Sequence, residues 1–314
     1  MLGSSVDRAR FASNLKTSIA GIMMKAPVLI GSGAYGFGDQ PSDCSKIGAF
    51  VTKGLTLERC IGNCSHVYSR LPHGNMLNSV GLKNPGVRDF IKDILPKLSE
   101  EGVPIIANIC GGTIEEYAEL AKLLDTPRSV AGLEVNISCP NVAAGGMAFG
   151  VSPEIGARVV EAVKKSSRKP MIVKLTPNVT DITKIARAVE IAGADAISLI
   201  NTLQGMDVDI ESGRSTLDPV FGGLSGPAIQ PISLRMVYQV RKAVKIPLIG
   251  MGGITTTEDA LKFFMVGADA VAICSALYND PSVAGKVVDG LFAYMEQKGI
   301  KSLEEIKGAA LNQE

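Results

Sequence analysis

The chain has 314 residues, 46% hydrophobic and 20% charged, with 32 Lys plus Arg against 31 Asp plus Glu for a formal net charge of +1. Those proportions exclude a disordered chain, which is poor in apolar residues and rich in net charge. Balanced charge leaves no basic excess to neutralise a nucleic-acid backbone, and the length supports a core that needs no metal or disulfide staple.

Along the chain, short apolar runs alternate with amphipathic stretches. Strands are predicted over Val28–Ser32, Ala49–Lys53, Pro104–Cys110, Leu133–Ser138, Met171–Leu175, Ala196–Asn201, Pro247–Met251 and Ala270–Cys274. Each is mainly apolar, as parallel strands buried on both faces are. Helices are predicted over Pro85–Leu98, Ile114–Leu124, Pro153–Lys165, Ile182–Ile191, Ile229–Val244 and Thr257–Val266, with a last one near Val283–Lys298. The phrase Ala192-Gly193-Ala194-Asp195-Ala196 returns as Val266-Gly267-Ala268-Asp269-Ala270. In both, a glycine stops a helix just before a strand. Thr255-Thr256-Thr257-Glu258 reads as an N-terminal helix cap.

Eight strand–helix units in succession predict a (β/α)8 TIM barrel, a single domain over residues 1–314. Right-handed crossovers then bring every strand C-terminus to one mouth. The stretches Gly54–Val103 and Thr202–Ser225 are expected to be insertions at that mouth. A doubly wound sheet is the runner-up. Gly31-Ser32-Gly33-Ala34-Tyr35-Gly36 has the glycine spacing of a dinucleotide fingerprint but leads into Phe37-Gly38-Asp39 rather than a helix. No apolar stretch is long enough to span a bilayer. The first residues carry Asp7, Arg8 and Arg10 with no apolar signal core. The expectation is a cytoplasmic protein with free thiols. The six cysteines, Cys44, Cys60, Cys64, Cys110, Cys139 and Cys274, lack zinc or ferredoxin spacing, and Cys60 and Cys64 are read as incidental.

In a barrel, chemistry sits at the strand C-termini. The polar residues there are Lys53, Asn108, Asn136, Ser138, Cys139, Asn141, Lys174, Asn201, Thr202, Cys274 and Ser275, with Gly252-Gly253 after the seventh strand. That set holds neither a histidine nor a carboxylate, because His66 and His73 both lie in the insertion after the second strand. Its composition argues against a Ser-His-Asp hydrolase, a metal hydrolase and a paired-carboxylate glycosidase. Lysines, carboxamides and one thiol suit a flat, anionic, hydrogen-bonding ligand and a redox cofactor. Gly250-Met251-Gly252-Gly253-Ile254 before a helix, and Cys274-Ser275 after the next strand, are placed to cradle a phosphate. Tight turns alone would also account for these glycines.

Four motifs in register, Asn78-Ser79-Val80-Gly81-Leu82, Asn136-Ile137-Ser138-Cys139-Pro140-Asn141, Val173-Lys174-Leu175-Thr176-Pro177-Asn178 and Gly222-Gly223-Leu224-Ser225-Gly226-Pro227, resemble the dihydroorotate dehydrogenase family. The resemblance runs from Ala26 to the last helix. It is nearest to the catalytic subunit of the NAD-linked class 1B branch, which Gly145-Gly146-Met147-Ala148-Phe149-Gly150 and Leu199-Ile200-Asn201-Thr202-Leu203-Gln204-Gly205-Met206 resemble.

The resemblance implies oxidation of (S)-dihydroorotate to orotate in pyrimidine biosynthesis, with one FMN per chain. It implies Cys139 as the base that takes the substrate proton. It implies a substrate site of Lys53, Asn78, Ser79, Val80, Gly81, Leu82, Asn136, Asn141, Asn201 and Thr202. It implies flavin contacts from Ser32, Lys53, Gly54, Asn108, Asn136, Lys174, Ile200 and Gly226, and phosphate contacts from Gly252, Gly253, Cys274 and Ser275. Lys174 is expected at the flavin N1–C2=O edge, where a cation stabilises the reduced anion. For the NAD-linked type, the resemblance implies a homodimeric core within a heterotetramer whose second subunit carries FAD and a 2Fe-2S cluster. Cys274 stands where the dihydroorotate enzymes usually have Gly, a feature shared with the uracil- and thymine-reducing domain of dihydropyrimidine dehydrogenase. That reading stays open, as do a homodimeric fumarate-linked enzyme and a non-redox phosphate-binding barrel.

Overall fold

A computed structural model describes residues 15–39, 44–138 and 149–312. Eight parallel strands close into a barrel: β1 (Val28–Ile30), β2 (Ala49–Val51), β3 (Ile105–Ile109), β4 (Val130–Asn136), β5 (Met171–Lys174), β6 (Ala196–Leu199), β7 (Leu248–Met251) and β8 (Ala270–Ile273). Each pairs with its neighbour in chain order, and β8 pairs with β1, so the predicted (β/α)8 barrel holds and the doubly wound sheet does not. Among the described residues, no helix is long and apolar enough to cross a membrane.

The strands bury both faces because each separates two apolar layers. Val28, Ile30, Phe50, Leu133 and Val135 pack outward against helix residues such as Leu120, Val159, Val189, Val240 and Phe263. Leu29, Val51, Ile106, Ile172, Ile249 and Ala270 form the inner layer. A hairpin that the sequence reading passed over, Thr17–Ile19 with Ile22–Met24, completes that layer through Ile19, Ile22 and Met24. Its turn puts Ala20 and Gly21 at φ 52° and 84°, the left-handed pair that a tight hairpin demands. It covers the end of the barrel opposite the site, and a side chain at Gly132 would meet Ile22.

The helices follow the predicted ranges closely, with one exception. The predicted helix Pro85–Leu98 is broken into Val87–Asp89, a wide π turn Phe90–Ile94 and Leu95–Ser99. Pro96 has no N–H to donate to the preceding turn, which disturbs the ladder there. The repeated Gly-Ala-Asp phrase does the same work twice. Gly193 and Gly267 adopt φ 104° and 100°. The carboxylates of Asp195 and Asp269 then accept from the first strand N–H of the neighbouring unit, Met171 at 2.9 Å and Leu248 at 2.7 Å.

The two insertions meet at the mouth in a four-stranded antiparallel sheet. Its order is Leu203–Gly205, Gly222–Ser225, Met76–Asn78, Tyr68–Arg70. Asn78 pairs with Gly223 and so lies against the other insertion.

Candidate active site

Along the inner face of each barrel strand the residues change from apolar to polar toward the C-terminal end. Ile106 gives way to Asn108 and Cys110, Gly132 to Glu134 and Asn136, Ile172 to Lys174, Ala196 to Ser198, and Ala270 to Cys274. Alternation puts every second residue of a strand inside, and of these polar ends Asn108, Asn136, Lys174 and Cys274 line a cavity of about 580 Å³. That volume falls in the range of small-molecule and cofactor sites.

Every described residue of the sequence-derived set lines this one cavity. Ser32, Lys53, Gly54, Asn108, Asn136, Lys174 and Ile200 border it, as do Asn78, Ser79, Val80, Gly81, Leu82, Asn201 and Thr202 from the insertions and strand ends. Gly226, Gly252, Gly253, Cys274 and Ser275 border it as well. Cys139 and Asn141 lie outside the described residues.

Just beneath the mouth lies a carboxylate outside the set of strand-end residues: Glu134, buried at 1% exposure. Its oxygens accept from Asn108 Nδ2 at 2.6 Å and Ser198 Oγ at 2.8 Å, and Lys174 Nζ stands 3.6 Å away. Glu134 precedes Asn136 by two positions, so the two share the inner face; that alternation was the signal available in the sequence. The floor continues upward through Cys110. Its Sγ accepts from Asn136 Nδ2 at 3.3 Å and donates to Asn108 Oδ1 at 3.6 Å. Asn201 Nδ2 approaches Asn136 Oδ1 at 3.4 Å. From the surrounding helices, Tyr117 Oη holds the Asn136 carbonyl at 2.7 Å.

The segment Ser79–Leu82 is held by its carbonyls. Asn63 Nδ2 donates to Ser79 O at 2.5 Å and Asn63 N to Val80 O at 3.1 Å. Cys60 Sγ donates to Gly81 O at 3.3 Å and Asn84 Nδ2 to Leu82 O at 2.7 Å. In a trans peptide the following N–H points the opposite way, so Val80, Gly81 and Leu82 turn their N–H groups from these anchors. Gly81 and Leu82 sit at φ 70° and 58°. Asn63, Cys60 and Asn84 were not singled out as site residues, since their role is visible only once the insertion is folded. Asn178 does similar work nearby, donating to Thr202 O at 3.1 Å and accepting from Gln204 N at 2.9 Å.

Burial lowers the pKa of Lys53, an effect opposed by Asp39 and reinforced by Lys83. Burial pushes the Cys274 thiol up, against the nearby Lys174 charge and with the Glu134 charge. Cys274 takes φ −123°, outside the left-handed region that favours glycine, so no positive φ opposes a side chain at this position. Cys60 and Cys64 are both free thiols.

A closed parallel barrel whose strand ends gather two lysines, several carboxamides and glycine-bearing turns around one cavity has the architecture of a (β/α)8 enzyme. The dihydroorotate dehydrogenase family model matches residues 14–295. A relative from Geotalea uraniireducens, named dihydroorotate dehydrogenase B (NAD(+)), catalytic subunit, is 48% identical over 95% of this chain and 98% of its own. Proteins of the same name from Desulforudis audaxviator and Bacteroides thetaiotaomicron are 50% and 47% identical, covering 93% and 95% of this chain and 96% and 99% of theirs. The chain belongs to the dihydroorotate dehydrogenase family and is an oxidoreductase.

Proposed function

We propose that the chain is the catalytic subunit of a cytoplasmic, NAD-linked dihydroorotate dehydrogenase, a single FMN-binding barrel domain that oxidises (S)-dihydroorotate to orotate for pyrimidine biosynthesis. The observation that carries this reading is the convergence of Lys53, Lys174, Asn78, Asn108, Asn136 and Asn201 on one cavity that Gly252, Gly253 and Ser275 also line.

The residues present fit FMN. Gly54 leaves the cavity floor open, since a side chain there would stand 3.0 Å from Cys110 Sγ and 3.1 Å from Asn108 Oδ1. Gly252 and Gly253, at φ 125° and 78°, form the turn after the seventh strand and line the cavity, a place where backbone can approach a phosphate. Ser32, Gly54, Asn108, Ile200 and Gly226 would hold the ring system and ribityl chain, with Cys274 and Ser275 completing the phosphate cradle. When bound, FMN supplies the hydride acceptor.

The protein's own groups do the rest. Carboxamides both donate and accept, which suits the alternating C=O and N–H edge of a pyrimidine; Asn78, Asn136, Asn141 and Asn201, with Thr202, take that edge. Lys53 and the N–H groups of Val80, Gly81 and Leu82 take the substrate carboxylate. Cys139 removes the C5 proton, a role open to a thiol whose ordinary pKa of about 8.5 lies close to neutral. Lys174 offsets negative charge at the flavin edge. The relatives' designation as a catalytic subunit supports a second subunit, here one carrying FAD and a 2Fe-2S cluster beside a homodimer of this chain.

The test is an anaerobic titration of the purified protein with dihydroorotate, followed in the visible flavin band. Bleaching on addition supports both cofactor and substrate. A yellow protein that ignores dihydroorotate but is reoxidised by uracil or thymine after reduction belongs with the pyrimidine-reducing relatives. A colourless protein that added FMN does not restore overturns the flavin reading.

A further inference from the structure

Glu134 does not line the cavity, yet it touches the groups that do. Its carboxylate is sealed in the barrel interior with side-chain exposure of 2%, beside a Lys174 side chain at 7%. A charge so enclosed is tolerated only when paired and hydrogen-bonded. Both conditions are met: Oε1 accepts from Asn108 Nδ2 and faces Lys174, while Oε2 accepts from Ser198 Oγ.

Two consequences follow. The first is orientation. Because Asn108 gives its Nδ2 to Glu134, its Oδ1 faces the Cys110 side of the floor, and the amide cannot flip without losing a charge-assisted bond. Lys174 is likewise anchored at its tip. The second is charge. An ammonium with a carboxylate 3.6 Å away projects a weaker positive field than an unpaired one.

We propose that Glu134 is a positioning residue that fixes Lys174 and Asn108 beneath the cavity and moderates the positive charge that bound FMN meets, holding its potential lower than Lys174 alone would set it. This rests on the FMN reading above. Glu134 acts through its neighbours and needs no contact with substrate.

The test is an anaerobic potentiometric titration of the FMN-loaded wild type, Glu134→Gln and Glu134→Asp. Glu134→Gln keeps the shape and removes the charge. It is expected to favour the reduced flavin by about tenfold, a rise of about 30 mV for a two-electron couple. Glu134→Asp keeps the charge and is expected to stay nearer the wild type. A residue that only held the fold would weaken FMN binding without moving the potential, so an unchanged or lowered potential in yellow Glu134→Gln overturns the proposal. If Glu134→Gln does not fold, Glu134→Asp carries the test, because its shorter side chain draws the carboxylate back from Lys174: a potential above the wild type supports the proposal, and an equal or lower one overturns it. A wild type that takes up no FMN overturns the flavin reading instead.

Discussion

A Cβ placed on Gly31 would stand 2.4 Å from the sulfur of Cys274, so the ends of the first and eighth barrel strands share room for one side chain. The backbones are already in register there, with Gly31 N donating to Ile273 O at 2.8 Å. Gly31→Ala should therefore destabilise the protein by about 1–3 kcal/mol, the usual cost of overpacking. Cys274→Gly in the same chain should return most of that loss. Chemical denaturation of the two single variants and the double variant checks this. Equal losses in Gly31→Ala and the double variant would show that the strain lies elsewhere.

The barrel was legible because its strands are buried on both faces and read as unbroken apolar runs, from Val28 to Ile273. The mouth sheet was not. Tyr68–Arg70, Met76–Asn78 and Leu203–Gly205 are three residues each, and Asn78 finds its partner Gly223 across 145 residues. No local periodicity announces such a pairing. The site residues were legible as polar strand ends and by motif, whereas Glu134 was hidden by its apolar neighbours Leu133 and Val135. Asn63 and Asn84 act on backbone carbonyls, contacts that residue type alone does not reveal.

The helix Thr257–Met265 follows the Gly252-Gly253 turn and is capped by Thr256 and Asp259 together. Burial works against ionising Asp259, but hydrogen bonds from Gln230, Thr255 and Lys262 outweigh it and hold the carboxyl at about 2. A pKa depressed on folding means that the unfolded chain binds the proton more tightly. The stabilisation is thus complete above the ordinary value of 3.8 and is lost as pH falls toward 2. Asp259→Asn should show a shallower loss of stability across that window. Parallel slopes for the two proteins, measured by denaturation at stepped pH, would remove Asp259 from this role.

Cys139→Ala should keep FMN and lose at least about 10² in the rate of flavin reduction by dihydroorotate, the usual scale for a missing general base. In the wild type that rate should rise with pH as the thiol ionises. Rapid-mixing measurements under anaerobic conditions report both. A variant with near-normal rate and pH profile would assign the proton to another group.

Asn84 is 5% exposed and spends every hydrogen-bonding position of its amide on backbone or Thr56. Its Oδ1 accepts from Gly86 N at 2.9 Å and Thr56 N at 3.2 Å, while Nδ2 holds Leu82 O. Asn84→Ala would release the end of the loop proposed to receive the substrate carboxylate and leave buried groups unpaired, at about 1–3 kcal/mol each. Leu82 is in the left-handed region at φ 58°, which non-glycine residues adopt only when held there. Without that anchor the loop should relax, raising the dissociation constant for orotate about tenfold, equivalent to about 1.4 kcal/mol. FMN content should stay at the wild-type level, because Asn84 borders none of the residues assigned to the cofactor's phosphate. Orotate titration of the flavin spectrum separates the two effects. Unchanged orotate affinity in a merely less stable variant would limit Asn84 to holding the fold.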